Sequence, residues 1–144
     1  MYTARETRIL MHMYTTKDTK ASADRLSYDI LGAAIEVHRH LGPGLLESAY
    51  ESCLCRELCL RGIDYERQVS LPLEYRGTPV GCDYRVDLIV GRLVLVEVKS
   101  VAKVLPIHRA QLITYLKLLK FKLGFVINFN VERLSLGIHR IVMG

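Results

Sequence analysis

The stretch VLVEVKS, residues 94–100, constrains the fold of this chain more than any other segment. Its valines and leucine are typical of a strand that is buried on both faces of a sheet. The same stretch carries Glu97 and Lys99, which are two positions apart and must therefore point to the same face. Because an isolated buried charge is costly, this strand needs a partner group or a cation that offsets the cost.

The segment that precedes this strand supplies a partner. The stretch DYRVDLIV ends immediately before Gly91-Arg92, and this two-residue connection predicts a tight hairpin. Asp87 would then pair near residues 95–97, which brings its carboxylate beside that of Glu97. Two neighbouring carboxylates are difficult to ionise together unless a cation neutralises them. Oxygen ligands of this kind favour Mg²⁺ or Mn²⁺, and a lysine beside the metal can position a water.

The same charges have a second interpretation that involves no metal. A salt bridge at a strand end, from Asp87 or Glu97 to Lys99 or Arg85, would also satisfy them. Surface pairs of that kind contribute about 0–1 kcal/mol. The spacing of these residues alone is compatible with both interpretations.

The rest of the chain alternates between helical and strand patterns. Apolar residues recur at helical spacing from Ser22 to Leu41 and from Leu45 to Arg61, and Gly42-Pro43 separates the two helices. A strand with Pro72 at an edge or a bulge precedes the hairpin, Pro106 begins a third helix, and two strands follow. The order ααβββαββ predicts an α/β fold with a mixed central β-sheet flanked by helices.

Length and composition limit the organisation of the chain. The 144 residues fit one domain, which we expect at residues 23–144 behind a loosely ordered N-terminal tail, residues 1–22. No apolar run approaches the roughly 20 residues that span a bilayer, and no signal peptide is evident, so we expect a cytoplasmic protein. The net charge of +5 is compatible with a polyanionic partner but is not specific for one. The four cysteines lack the spacing of a zinc site and are interpreted as free thiols.

Several separated motifs in the chain resemble the GxxExxY protein family of the PD-(D/E)XK nuclease superfamily. The name-giving motif is Gly44-Leu-Leu-Glu47-Ser-Ala-Tyr50, and the resemblance runs from about Leu26 to Met143. The motifs occur in the order GAAIEVHRHLGPGLLESAYE, YRVDLIV, VEVKS, HRAQLITYLK and GFVINFN. The resemblance implies a restriction-endonuclease-like core and a metal-dependent nuclease that hydrolyses phosphodiester bonds in nucleic acid, with DNA favoured over RNA.

The resemblance also implies roles for the residues at the end of the quoted strand. Asp87 and Glu97, helped by the backbone carbonyl of Val98, would hold Mg²⁺ or Mn²⁺. Lys99 would orient the attacking water and stabilise charge on the phosphate.

Two helical residues complete the set that the resemblance implies. Glu47 would serve a second metal or a metal-bound water, and Gln111 would support the site from the third helix. Each has an alternative explanation. Glu47 stands in the first turn of its helix, where any carboxylate meets the positive end of the dipole, and Gln111 is also typical of a solvated helix face.

Other functions are also compatible with the sequence. A catalytically silent module with a nuclease fold would bind nucleic acid or a protein partner, and loss of Glu97 would leave such a binder unaffected. A small defence-associated nuclease would work with a partner docked on the N-terminal tail. A homodimer is compatible with cleavage of two strands.

Overall fold

The computed structural model describes the backbone of residues 19–144 and the side chains of residues 22–81 and 84–144. The elements, in chain order, are α1 (Thr19–Leu41), α2 (Glu47–Leu60), β1 (Tyr65–Tyr75), β2 (Thr78–Val90), β3 (Val94–Lys99), α3 (Pro106–Leu119), β4 (Leu123–Asn128), a 3₁₀ turn (Leu134–Leu136) and β5 (Ile138–Val142). The predicted order ααβββαββ is therefore confirmed. The predicted tail, residues 1–22, lies outside the described residues except at its end, which belongs to α1.

The five strands form one mixed sheet in the order β1-β2-β3-β4-β5. Neighbouring strands are antiparallel except for β3 and β4, which run parallel. β1 is an edge strand, and its pairing with β2 shifts between Pro72 and Glu74, as expected because proline has no N–H to donate to the ladder. β2 begins ahead of the predicted stretch DYRVDLIV because its hairpin with β1 extends to Thr78.

The sheet separates two apolar layers. α1 and α2 cover one face, where they pack with residues such as Val96 and Phe125. α3 covers the other face, where Leu112 shares a buried cluster with Leu95. Because β3 and β4 are covered on both faces, their residues are buried at nearly every position, which explains the continuous apolar pattern of VLVEVKS.

Two smaller features concern the helices. No helix in the described part of the chain is long and apolar enough to cross a membrane. Cys53, Cys55 and Cys59, on α2, form no disulfide in the structure, and the side chain of Cys82 lies outside the described residues.

The connection between β2 and β3 has three residues, one more than the prediction. Val90 pairs with Val94, so Leu93 lies outside the ladder together with Gly91 and Arg92. The N–H of Leu93 donates to the carbonyl of Val90 at 3.1 Å, and both central residues of this turn have positive φ angles, 56° and 59°. Gly91-Arg92 therefore forms the turn as expected, and the third residue moves the register by one position.

Gly91 is expected to tolerate alanine less well than Gly77 does. Both glycines have positive φ angles, 56° and 83°, where a side chain costs about 1 kcal/mol or more. A Cβ at Gly91 would lie 2.5 Å from Cδ2 of Leu26 in α1, whereas nothing lies within 4 Å of a Cβ at Gly77. We expect Gly91→Ala to lower the free energy of unfolding by about 1 kcal/mol more than Gly77→Ala, because Leu26 must move. Urea denaturation of both variants measures this difference, and equal losses would contradict the packing of α1 against the turn.

Candidate active site

The site lies at a break in the alternation of β2. In a regular strand, residues two apart face the same side of the sheet. Leu88 packs in the layer of α1 and α2, but Val86 packs in the layer of α3. Asp87, between them, is therefore the point at which β2 changes phase.

β1 changes phase at the residue that faces this break. Tyr65 contacts the layer of α1 and α2, whereas Val69, four positions later, belongs to the layer of α3. Gln68 lies at this break with a φ angle of 52°, and the regular pairs on either side of it leave Gln68 opposite Asp87. The two irregularities coincide, so one short segment of both strands leaves the regular sheet geometry.

Side chains replace the backbone ladder between β2 and β3 at the same level. The regular pairing ends at Leu88 and Val96. One residue further, the N–H of Asp87 donates to Oε1 of Glu97 at 3.0 Å, and the N–H of Val98 donates to Oδ2 of Asp87 at 2.8 Å. The two acids therefore lie side by side, as the hairpin predicts, and each holds the backbone of the opposite strand.

Burial and mutual repulsion both act on this acid pair. Glu97 is 4% exposed, and burial, followed by the neighbouring charge of Asp87, raises its pKa to about 8. Burial also raises the pKa of Asp87, against the opposing effect of the hydrogen bond from Val98. Glu97 therefore keeps its proton at neutral pH unless positive charge is brought to the pair.

An open cleft of about 530 Å³ lies on one side of the pair, between the start of α2, the break in β1 and β2, and the end of β3. Its polar wall is formed by Glu47, Ser48, Glu51, Gln68, Asp87 and Ser100, together with Val98. Glu97 is buried behind this wall, because its strand parity places it on the face that α3 covers. The two acids thus differ in access: Asp87 faces the cleft and Glu97 supports it from the interior.

The hydrogen bonds of Tyr50 set the position of Glu47 at the cleft. The hydroxyl of Tyr50 donates to the carbonyl of Gly42 at 2.5 Å and accepts from the N–H of Leu45 at 3.1 Å. Its ring stacks on Phe129 at 4.6 Å between centroids. These contacts hold the loop between α1 and α2, which contains Gly42 and Gly44, so that α2 begins at Glu47 against the cleft.

Lys99 and Gln111 approach the acids from different directions. Lys99, half-buried at the end of β3, is close enough to Asp87 and Glu97 to lower the pKa of both. Gln111 on α3 is outside the cleft wall and hydrogen-bonds the side chain of Tyr115. Burial, followed by the charge of Glu97, raises the pKa of Tyr115 to about 12, so Gln111 reaches the acid pair through this tyrosine.

The structure argues against the salt-bridge interpretation of these charges. Among the described side chains, none of the ion pairs joins Asp87 or Glu97 to Lys99 or Arg85. The nearest ion pair to the site joins Arg67 to Glu51 at 3.1 Å. The charges at the end of VLVEVKS are thus not neutralised in pairs.

A family model of the PD-(D/E)XK nuclease superfamily matches residues 24–141. The chain belongs to this superfamily. The membership, together with the mixed sheet between helices, confirms the restriction-endonuclease-like fold. The match does not distinguish the GxxExxY family within the superfamily, so that resemblance stays a prediction. No curated protein and no solved structure matches the chain.

PD-(D/E)XK nucleases typically use divalent metals, and the donor atoms present here have the chemistry for one. Asp87, Glu97 and the carbonyl of Val98 offer hard oxygen ligands, which suit Mg²⁺ or Mn²⁺. No group of three or more His, Cys, Asp or Glu side chains within the described residues is arranged to hold a metal. Further ligands would have to come from water or from a phosphate, as is common for Mg²⁺.

Glu51 and Gln68 are polar residues of the cleft that were not predicted from the sequence. Glu51 stands four positions after Glu47 and so shares its helix face, a spacing that was available as a signal. Gln68 could not be predicted, because the alternation of apolar and polar residues does not indicate a left-handed backbone conformation within a strand. Both contact each other in the structure, with Nε2 of Gln68 at 2.6 Å from Oε1 of Glu51.

Glu97→Gln is expected to flatten the pH dependence of stability in metal-free protein. The pKa of Glu97 rises from an ordinary 4.5 to about 8 on folding, so between these values the folded state holds a proton that the unfolded chain releases. The free energy of unfolding therefore falls as the pH rises through this window, by up to about 1.4 kcal/mol per pH unit for one group. Asp87, whose pKa is also raised, contributes in the same direction.

Urea denaturation with a chelator at about pH 5, 7 and 9 tests this expectation. Wild type should lose stability across the series, and Glu97→Gln should lose much less because glutamine does not ionise. Glu74→Gln, at an exposed position of β1, is the control and should follow wild type. A wild-type stability that stays constant or increases from pH 5 to 9 would contradict the raised pKa of Glu97.

Proposed function

We propose that this protein is a metal-dependent nuclease that hydrolyses phosphodiester bonds in nucleic acid, with DNA favoured over RNA. The observation that carries the proposal is the acid pair, in which Asp87 lies at the wall of an open cleft and Glu97 is buried behind it. Two acids that cannot both ionise unaided have a use for a divalent cation. Membership of the superfamily supports nucleic acid as the substrate.

The acids and the lysine have separate tasks in this proposal. Asp87, Glu97 and the carbonyl of Val98 would hold Mg²⁺ or Mn²⁺, which when bound neutralises the scissile phosphate and lowers the pKa of a water. Lys99, next to both acids, would orient the attacking water and offset charge that develops on the phosphate.

The helical residues act from opposite sides of the sheet. Glu47 faces the cleft from the start of α2 and would hold a second metal or a water there. Gln111 would act behind the acids, because its hydrogen bond holds Tyr115 near Glu97.

We also propose a cytoplasmic location and, for cleavage of both strands of a duplex, a homodimer.

The alternative is a catalytically silent module that binds nucleic acid or a partner. The observation in its favour is that, in the described residues, no three acidic, histidine or cysteine side chains are arranged to hold a metal. The two functions differ in their need for Glu97, since a binder without chemistry is indifferent to its loss.

Cleavage is expected to depend on each member of the acid–lysine group. Asp87→Asn, Glu97→Gln and Lys99→Met should each lower the cleavage rate by at least about 100-fold, because each removes a cation ligand or a charge at the phosphate. The assay is cleavage of duplex DNA, single-stranded DNA and RNA in Mg²⁺ or Mn²⁺. Lys103→Met, at an exposed position beyond β3, is the matched control and should cleave as wild type does.

Calorimetric titration of Mn²⁺ separates the two functions. Binding to wild type that Glu97→Gln removes supports the nuclease. Absence of cleavage by wild type on every substrate, with no Mn²⁺ binding, would replace it with the silent module. Cleavage of RNA but not of DNA would reverse the substrate preference and leave the chemistry in place.

A further inference from the structure

Gln68 contacts two carboxylates with a single amide group. Its Nε2 lies 2.6 Å from Oε1 of Glu51 and 3.1 Å from Oδ1 of Asp87. An amide nitrogen carries two hydrogens, so each carboxylate receives one of them. Gln68 is therefore a neutral link between two acids that would otherwise repel each other.

The far end of this link is fixed. Glu51 is 7% exposed, and its second oxygen, Oε2, accepts from Nη2 of Arg67 at 3.1 Å. The same nitrogen of Arg67 also donates to the hydroxyl of Ser52 at 2.9 Å. Both oxygens of Glu51 are thus held by neighbouring residues of β1, which locks α2 to the break in that strand.

The near end of the link fixes the carboxylate of Asp87. Val98 donates to Oδ2 at 2.8 Å and Gln68 donates to Oδ1 at 3.1 Å. Each oxygen therefore has one donor, and the plane of the carboxylate cannot rotate without breaking one of these bonds. An oxygen atom has further lone pairs, so both remain able to coordinate a cation.

The backbone of Gln68 supports a role for its side chain. Its φ angle of 52° lies in the left-handed region, which costs a residue with a side chain about 1 kcal/mol or more and which glycine enters freely. Glycine at this position would relieve the strain but would leave Glu51 and Asp87 unlinked.

We propose that Gln68 is a positioning residue for Asp87, held in turn by Glu51, and that this relay sets the carboxylate for a divalent cation. The proposal rests on the nuclease function insofar as the cation is concerned. Glu51 acts through its hydrogen bond to Gln68 rather than as a metal ligand. Outer partners of metal ligands commonly change metal affinity by about 10- to 100-fold when they are removed.

The first test is Mn²⁺ affinity measured by calorimetry on the full chain. Gln68→Met keeps the length of the side chain without a donor, and we expect Mn²⁺ to bind at least about tenfold more weakly. Asparagine tolerates positive φ angles, but its side chain is too short to reach both acids. The Gln68→Asn variant should therefore keep the fold and bind Mn²⁺ as weakly as Gln68→Met does. Glu74→Gln on the same strand is the control and should bind as wild type does.

Variants of Glu51 distinguish positioning from direct coordination. Glu51→Gln keeps an oxygen that accepts from Gln68, and we expect its Mn²⁺ affinity to stay within about threefold of wild type. Glu51→Leu removes the acceptor and should weaken binding as Gln68→Met does. Equal losses in both variants would show that the charge of Glu51 acts on the cation directly, which would overturn the relay.

The remaining outcomes separate this inference from the proposed function. If wild type binds Mn²⁺ and both Gln68 variants bind it equally well, the inference is wrong and the nuclease function stands. If wild type binds no Mn²⁺ and also cleaves no substrate, the metal-dependent function fails, and the side-chain amide signals of Gln68 in metal-free protein decide the link. The link requires one of these NMR signals to move in Glu51→Leu and the other in Asp87→Asn, and unchanged signals would overturn it.

Discussion

The exchange of hydrogen bonds between Asp87 and the strand of Glu97 is the interaction on which the site depends. Two backbone N–H groups that a regular ladder would pair with carbonyls are bound by carboxylates instead. A hydrogen bond contributes about 0.5–1.5 kcal/mol, and more where the acceptor is charged, so the exchange keeps the strands together where their pairing ends. It also turns Asp87 toward the cleft while Glu97 stays buried.

Short-range patterns were sufficient to predict this acid pair. The hairpin, the two-residue spacing of Glu97 and Lys99 and the continuous apolar pattern all depend on neighbours within about ten residues, where strand periodicity is strict. The turn was predicted one residue too short. The residue opposite Asp87 still lies within the predicted range, 95–97, because that range allowed for a shift of one position. The order of the elements followed from the same local patterns.

The polar contacts that Gln68 makes with Glu51 and Asp87 could not be predicted in this way. Alternation assumes that a strand keeps its phase, but β1 and β2 both change phase, so that Val86 and Leu88 of β2 pack in different layers. The partner of Gln68 is on a helix that precedes the strand, and nothing local joins Glu51 to β1. The spacing of Glu47 and Glu51 showed that they share a face, but the groups that this face would meet depend on how α2 packs on the sheet.

The acid pair is a stability cost that the rest of the fold offsets. Burial on both faces of β3 and β4 supplies the apolar contacts, while Glu97 keeps a proton that an exposed glutamate would lose. A glutamine at this position would still accept the N–H of Asp87 and would not repel its carboxylate. A fold that served only as a scaffold would gain from that replacement, whereas a site that binds a cation needs the charge. Under the proposed nuclease function, the use of glutamate at position 97 is that it can release this proton when a cation binds.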